Sequence, residues 1–339
     1  VESRKVKYDF VIHRNITIIT GDSGSGKTVL IDLIHDYGRY GADSGVFLSC
    51  DCPCKVIDSE DWERKIEETT GSIIFIDEGN RFLVSKKFAQ LVQGSDNYFV
   101  LATREKLPAL PYSVSEIYGF RKSGKFHDAK QKYNEIYHLY GEISEEKNIN
   151  PKLVITEDSN SGFEFFKEMS RQKGVNCFSA GGKSNIIRQL EQRPNEEGTI
   201  LVIADGKSNI YKHLKKDKNV LVVADGAAFG SEMKDISECI KTQGNIVLYA
   251  PESFEWLLLS TKEIPEVKVE TILQNPEEYI DSKEYVSWER YFTDLLIEST
   301  SKNFIWAYSK KRLTKAYFAP RIVNAVKTIM KLVDWEKSF

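Results

Sequence analysis

The chain has 339 residues, of which 41% are hydrophobic and 29% charged, and its formal net charge at pH 7 is −3. This length allows two domains of ordinary size, and the charge excludes bulk attraction to nucleic acid while leaving a local basic surface open. No run approaches the roughly 18 apolar residues that span a bilayer, and residues 1–10 contain no signal-peptide core. We therefore expect a cytoplasmic protein with no membrane partner.

The strongest pattern is an apolar strand that runs into a glycine-rich loop and then into a helical pattern. The strand covers residues 16–20, and residues 21–28 read GDSGSGKT, which matches the phosphate-binding consensus GxxxxGK[S/T] in its required context. Backbone N–H groups of such a loop surround phosphate oxygens at a helix N-terminus. Lys27 is predicted to reach the β- and γ-phosphates, and Thr28 to bind Mg²⁺. The predicted ATP site comprises Gly21, Asp22, Ser23, Gly24, Ser25, Gly26, Lys27 and Thr28.

Two later strands end on polar residues that suit the same chemistry. Residues 73–76 are apolar and precede Asp77 and Glu78. Asp77 is predicted to hold Mg²⁺ through water, and Glu78 to polarise the attacking water, as in the P-loop class with a catalytic glutamate. The strand in NYFVLATRE ends at Thr103, a candidate sensor of the γ-phosphate. Arg104 either acts on a neighbouring subunit or is a surface cation.

The segment IFIDEGNRFL, followed later by NYFVLATREKLPALPYSVSEIYGF, resembles the compact ATPase domain of zonula-occludens-toxin (Zot)-like and related phage P-loop proteins. The resemblance covers about residues 10–125 and implies a parallel sheet that binds and hydrolyses ATP. Only about fifty residues separate Lys27 from Asp77, and no LSGGQ-like signature occurs, so ABC and SMC-type ATPases are excluded. Zot-like proteins continue into a membrane span, which this sequence lacks.

The segment at residues 115–140 is rich in Lys, Arg and Tyr and predicts a strand or hairpin with KSGK at its turn. It either contacts a phosphate backbone or presents a solvated face. The polar, proline-containing residues 141–152 mark a domain boundary. We therefore predict an ATPase domain at 1–145, a second α/β domain at 152–260 and a mainly helical C-terminal extension at 261–339.

In the second domain, apolar strands alternate with helical segments, which predicts a doubly wound parallel sheet of Rossmann-like type. Ligands of such sheets bind outside the carboxyl ends of the strands. Three predicted strands end there on acids, Glu157, Asp205 and Asp225. These side chains predict a Mg²⁺ site, because Mg²⁺ prefers oxygen ligands. The alternative is that the Asp-Gly pairs only turn the chain.

The order of an acid, GGKSN and then Asp-Gly resembles the TOPRIM domain of topoisomerases, primases and the nucleases associated with ATPases in phage defence. The resemblance implies that Glu157 is the general acid/base and that Asp225 is the leading metal-binding aspartate, with Asp205 as the other candidate. Ala227 stands where TOPRIM domains have a second aspartate. The segment PESFEWLLL resembles an acidic-aromatic segment of some of these nucleases, which implies Glu252 and Glu255 as further ligands.

The extension contains two apolar helical patterns, RYFTDLLIEST and RIVNAVKTIMKLV. The cluster YSKKRLTKAYFAPR between them combines cations with aromatics and forms either a nucleic-acid groove or a solvated helix face. Cys50, Cys52 and Cys54 lack the paired spacing of zinc sites, and reduced thiols at a strand end are expected.

These patterns predict an ATP- and Mg²⁺-dependent ATPase whose cycle gates a TOPRIM-like nuclease acting on DNA or RNA. The alternative is an ATP-dependent switch or Zot-like motor with a non-catalytic partner-binding module. In either case a homo-oligomer or a partner protein is expected to complete the assembly.

Overall fold

The computed structural model divides the chain into two compact units, Val1–Gly141 with Ile280–Val286, and Glu142–Tyr279 with Ser287–Phe339. Mixed helices and parallel strands occur in both units, which confirms the predicted α/β class. The structure describes residues 1–58, 60–123, 132–140, 151–156, 160–172, 174–179, 199–204, 220–224, 226–234, 237–238, 246–249, 251–265 and 267–330.

The first unit is built on a seven-stranded sheet with the order β1-β7-β6-β2-β5-β4-β3. Its described strands are β1 (Val6–Tyr8), β2 (Ile16–Ile19), β3 (Cys54–Val56), β4 (Ile73–Ile76), β5 (Tyr98–Ala102), β6 (Ile117–Ser123) and β7 (Lys132–His138). All neighbouring pairs are parallel except β6 and β7, which pair antiparallel as in the predicted hairpin.

Three α-helices are described in this unit, α1 (Lys27–Tyr40), α2 (Trp62–Glu67) and α3 (Lys86–Val92). Strands β2 and β4, with the sequences ITII and IIFI, are buried at every residue, as expected for strands covered on both faces. Helix α1 packs its apolar face, with Leu30 and Ile34, into the core that β2, β4 and β5 share.

Strand β5 lies between β2 and β4, although β2 and β4 precede it in the sequence. Ile19 of β2 is in register with Ala102 of β5, and Leu101 of β5 is in register with Ile76 of β4. Because these strands are parallel, their carboxyl ends meet side by side at one edge of the sheet. The three loops that contain the predicted nucleotide-site residues therefore start at the same edge.

The second unit contains a five-stranded sheet with the order β12-β11-β10-β8-β9, in which every pair is parallel. Its strands are β8 (Pro151–Thr156), β9 (Asn176–Ser179), β10 (Thr199–Ala204), β11 (Val220–Ala224) and β12 (Ile246–Tyr249). Parallel neighbours require crossover connections, and α4 (Ser161–Arg171) is the described helix between β8 and β9. The doubly wound arrangement stays a prediction, because most other crossovers lie outside the described residues.

Four more α-helices are described after β12, namely α5 (Phe254–Ser260), α6 (Glu270–Gln274), α7 (Trp288–Thr300) and α8 (Pro320–Ile329). The predicted helical patterns coincide with α7 and α8. Between them the chain makes turns and one short 3₁₀ helix, Lys315–Phe318. The basic cluster therefore lies outside the described α-helices except for Pro320 and Arg321, which begin α8. Among the described residues, no helix has the length and apolar character needed to cross a membrane.

Candidate functional site

The loop between β2 and α1 has a backbone that favours glycine. Gly21, Gly24 and Gly26 have φ angles of +144°, +80° and +107°. At Gly26 there is also no space for a side chain, because a Cβ atom would lie 2.7 Å from Asn134 Nδ2 and 2.9 Å from Tyr8 Oη. The glycines predicted from the phosphate-binding pattern are thus needed for the local shape of the loop.

Lys27 is enclosed by this loop and is only 4% exposed. Its Nζ donates to the carbonyl oxygens of Gly21, at 2.7 Å, and Asp22, at 3.3 Å, and to Ser25 Oγ, at 3.3 Å. Lys27 is also the first residue of α1, whose N-cap supplies no side-chain hydrogen bond. A buried ammonium group and the positive end of a helix therefore meet in one loop, which favours an anion.

Side chains of β1 and β7, Tyr8 and Asn134, contact the glycine-rich loop at Gly26. Tyr8 Oη donates to the carbonyl oxygen of Gly26 at 2.8 Å. Burial raises the pKa of Tyr8, and a hydrogen bond with Asn134 partly offsets this increase. Sequence reasoning missed both residues, since the alternation in VKY indicates only that Tyr8 is buried.

Asp77 follows β4 and is half-buried. Its Oδ1 accepts a hydrogen bond from the Glu78 amide at 2.8 Å, and its carbonyl oxygen accepts from Asn80 at 2.9 Å. Asp32 is exposed on α1, and partial desolvation followed by the charge of Asp77 raises its pKa, so the two carboxylates interact electrostatically. Asp32 is one helical turn after Thr28, which is exposed on α1, and the i, i+4 spacing is the signal that sequence reasoning missed.

Arg104 pairs with Glu78 of the same chain. Its Nη2 donates to Glu78 Oε1 at 2.7 Å and its Nε donates to Oε2 at 3.1 Å, so the guanidinium engages both carboxylate oxygens. The hydrogen bond with Arg104 is the main reason why the pKa of Glu78 is lowered, and the charge of Lys27 lowers it further. Arg104 is exposed, which agrees with the predicted surface cation, and its partner belongs to the same chain. A role on a neighbouring subunit stays a prediction.

Thr103 is buried at the end of β5, between the ends of β2 and β4. Its amide donates to the Ile19 carbonyl oxygen at 3.0 Å, and its hydroxyl oxygen accepts from the Glu105 amide at 3.0 Å. The structure thus brings the regions of Lys27, Asp77, Glu78 and Thr103 to one edge of the first sheet.

In the second unit, the strands that precede the predicted acids are neighbours in the order β8-β10-β11. Thr156 is in register with Ile203, and Ala204 with Ala224. The acids themselves, Glu157, Asp205 and Asp225, lie outside the described residues, as do the glycines after β9. Within the described ranges, no group of three or more His, Cys, Asp and Glu side chains is arranged to hold a metal ion.

Glu255 does not suit the metal-ligand role that the resemblance implied. It is only 2% exposed, and its Oε1 accepts a hydrogen bond from Tyr308 Oη at 2.7 Å. Tyr308 Oη also lies 2.8 Å from Ser161 Oγ. Burial raises the pKa of Glu255. Glu255 is therefore part of a buried polar network in the core of the second unit.

The thiols of Cys50, Cys52 and Cys54 are free, as expected, and they line a cavity of about 380 Å³ beside β3. Burial is the main cause that raises the pKa of Cys54 to about 12, and the neighbouring Cys50 and Cys52 add to it. A thiol with so high a pKa is a poor nucleophile at neutral pH.

No family model, curated protein or solved structure matches this chain.

Proposed function

We propose that the first unit binds ATP with Mg²⁺ and hydrolyses it. The observation that carries this proposal is the enclosure of Lys27 by a glycine loop at the N-terminus of α1, with Asp77 and Glu78 following a strand at the same sheet edge. A nucleotide is the anion that this combination favours, because phosphate oxygens can replace the loop carbonyls as acceptors for Lys27.

The residues present suit Mg²⁺, which takes oxygen ligands. The Thr28 hydroxyl and the Asp77 carboxylate would hold the ion, and Asp32, whose pKa the charge of Asp77 helps to raise, offers a third oxygen-bearing side chain. When bound, Mg²⁺ supplies positive charge that offsets the charge of the phosphates. Lys27 contributes to the same offset from the loop, and Thr103 is proposed to contact the γ-phosphate.

Glu78 is proposed as the general base that accepts a proton from the attacking water. A base must offer a free carboxylate oxygen, and in this structure Arg104 engages both oxygens of Glu78. We infer that Arg104 leaves Glu78 before water is activated. The γ-phosphate is an alternative anionic partner for this guanidinium, which makes the release dependent on ATP.

The test is phosphate release from ATP by the full chain in the presence of Mg²⁺ or EDTA. Lys27→Ala is expected to lose both ATP binding and hydrolysis, whereas Glu78→Gln is expected to bind ATP and to lose at least about 100-fold in rate. Lys86→Ala, an exposed lysine on α3, is the matched control and should behave as wild type. Equal hydrolysis by Glu78→Gln and wild type would refute the role of Glu78.

We propose further that the second unit carries a Mg²⁺-dependent, TOPRIM-like nuclease activity gated by the ATP cycle. The supporting observation is the strand order, in which β9 lies on one side of β8, and β10, β11 and β12 follow on the other side. The order therefore reverses between β8 and β10, and ligands of open parallel sheets bind at such a point. Glu157, Asp205 and Asp225 directly follow strands of this region in the sequence. The rival proposal is a non-catalytic module that binds a partner protein.

These two proposals differ in their dependence on the acids. Cleavage of plasmid and single-stranded DNA is measured with Mg²⁺ or Mn²⁺, with and without ATP. Glu157→Ala combined with Asp225→Ala should abolish cleavage and leave ATP hydrolysis unchanged. Absence of cleavage by wild type, together with intact ATP hydrolysis, would favour the partner-binding module. Size-exclusion chromatography with light scattering, with and without ATP, tests the proposed homo-oligomer.

A further inference from the structure

The chain between Glu298 and Asp334 contains no acidic residue. Within this stretch, residues 301–321 are here named the basic turn. Its cations are Lys302, Lys310, Lys311, Arg312, Lys315 and Arg321. In a protein with a net charge of −3, such a segment creates a local positive field that attracts polyanions.

The basic turn folds back on itself, so that residues 314–321 contact residues 305–306. Thr314 Oγ1 donates to the carbonyl oxygen of Ile305 at 2.5 Å, and Tyr317 Oη donates to that of Trp306 at 2.7 Å. The guanidinium of Arg321 lies 5.2 Å from the centre of the Trp306 ring. These contacts bring Lys315 and Arg321 beside the turn at residues 303–306.

Phe304 projects from this turn and is 94% exposed, and Ile305 is 69% exposed. The backbone beneath them is ordered by hydrogen bonds from the Asn303 amide to the Thr300 carbonyl oxygen, at 3.0 Å, and from the Trp306 amide to the Asn303 carbonyl oxygen, at 2.9 Å. An aromatic ring is therefore presented to solvent on a structured support rather than buried with Trp306 and Tyr317.

Four of the six cations of the basic turn are available for an anionic ligand. Lys302, Lys311, Arg312 and Lys315 are exposed and form no ion pair within the described part of the chain. By contrast, Lys310 pairs with Glu289 at 2.7 Å, and Arg321 lies 3.9 Å from Glu263. Lys311 and Arg312 precede Thr314 and Lys315 follows it, and the Thr314 side chain contacts the Phe304–Ile305 turn.

We propose that the basic turn binds single-stranded nucleic acid, with a base stacked on Phe304 and phosphates contacted by Lys311, Arg312 and Lys315. Single-strand sites combine a basic track with exposed aromatic rings in this manner. An unpaired base has a free face for the ring, whereas a duplex hides its bases. This inference rests on the proposed nucleic-acid activity of the second unit, because it names the ligand of that unit. The binding itself needs neither ATP nor Mg²⁺.

The test is fluorescence anisotropy of a fluorescein-labelled 20-nucleotide oligo(dT) with the full chain, titrated in EDTA at several salt concentrations. Phe304→Ala should weaken binding about 5- to 150-fold, as expected for the loss of one base stack. The matched control is Ile305→Ala, which removes an exposed aliphatic side chain next to the ring and should change affinity less than about 2-fold. Circular dichroism checks that both variants fold.

The charge arm uses Lys311→Glu, Arg312→Glu and Lys315→Glu, each compared with Lys268→Glu, an exposed lysine elsewhere in the second unit. Each of the first three should reduce the magnitude of the negative slope of log affinity against log salt concentration by about 0.7, and Lys268→Glu should leave it unchanged.

Equal effects of Phe304→Ala and Ile305→Ala would overturn the proposal, as would binding to phosphatidylserine-containing vesicles without binding to oligo(dT). Because the binding assay contains neither ATP nor free Mg²⁺, a failure of binding is distinguishable from a failure of ATP hydrolysis or of cleavage.

Discussion

Gly26→Ala tests whether the shape of the glycine loop is fixed by the side chains beneath it. The φ angle of +107° at Gly26 strains any residue with a Cβ atom by about 1–3 kcal/mol. The new methyl group would also meet Asn134 Nδ2 at 2.7 Å and Tyr8 Oη at 2.9 Å. Moving Tyr8 breaks its hydrogen bond to the Gly26 carbonyl oxygen, a loss of about 1 kcal/mol. We expect a loss of about 2–4 kcal/mol in the free energy of unfolding.

Urea unfolding, followed by tryptophan fluorescence and circular dichroism, measures this loss, and nucleotide binding is measured on the folded variant. Two glycines provide controls. Gly24 has a φ of +80° but open space around a Cβ atom, so Gly24→Ala should lose only about 1–2 kcal/mol. Gly38, exposed within α1 and also in open space, should gain about 0.5–1 kcal/mol on substitution by Ala. A Gly26→Ala variant as stable as Gly24→Ala would refute the argument from Tyr8 and Asn134.

Arg104→Ala removes the hydrogen bonds that lower the pKa of Glu78. The acidic limb of the pH profile of kcat/KM for ATP should therefore move to higher pH. An unchanged profile would contradict a base role for the Glu78 carboxylate. Burial raises the pKa of Glu255 above its usual value of 4.5. The stability that the protonated Glu255 contributes is therefore complete below about pH 4.5 and falls as pH rises through the folded-state pKa. The free energy of unfolding falls by at most about 1.4 kcal/mol per pH unit. Glu255→Gln should flatten that decline in urea unfolding measured from pH 4 to 8. Ser253 caps α5 by accepting from the Trp256 amide at 3.0 Å, so Ser253→Ala should cost about 1 kcal/mol in the same assay and Ser253→Gly should cost less.

The parts of the fold that sequence predicted are those set by local patterns. The strand, glycine loop and helix at residues 16–40 follow from hydrophobic period and glycine spacing within a few turns of chain. Likewise, the apolar strands that end before Asp77 and Thr103 were visible as short apolar runs. The order of the strands was not, because it depends on packing between segments far apart in the sequence. The position of β5 between β2 and β4 is such a result.

The same limit applies to the side chains that complete the candidate site. Tyr8 and Asn134 are more than a hundred residues apart, and only the sheet brings them together beneath Gly26. Neither belongs to a motif, and a buried tyrosine in a short strand is ordinary core chemistry. A motif predicts which groups face the ligand, whereas the groups that hold the motif in shape come from wherever the fold supplies them.

Arg104 shows how this distinction alters the proposed chemistry. Read from sequence, Glu78 is a free carboxylate after a strand, ready to act as a base. In the structure the next strand supplies a guanidinium that binds both of its oxygens and lowers its pKa. A base in this state is ionised but occupied, so its reactivity depends on where Arg104 finds a better anion. Under the proposed function, the γ-phosphate of ATP is that anion, and the free chain is then expected to keep Glu78 occupied until nucleotide is bound.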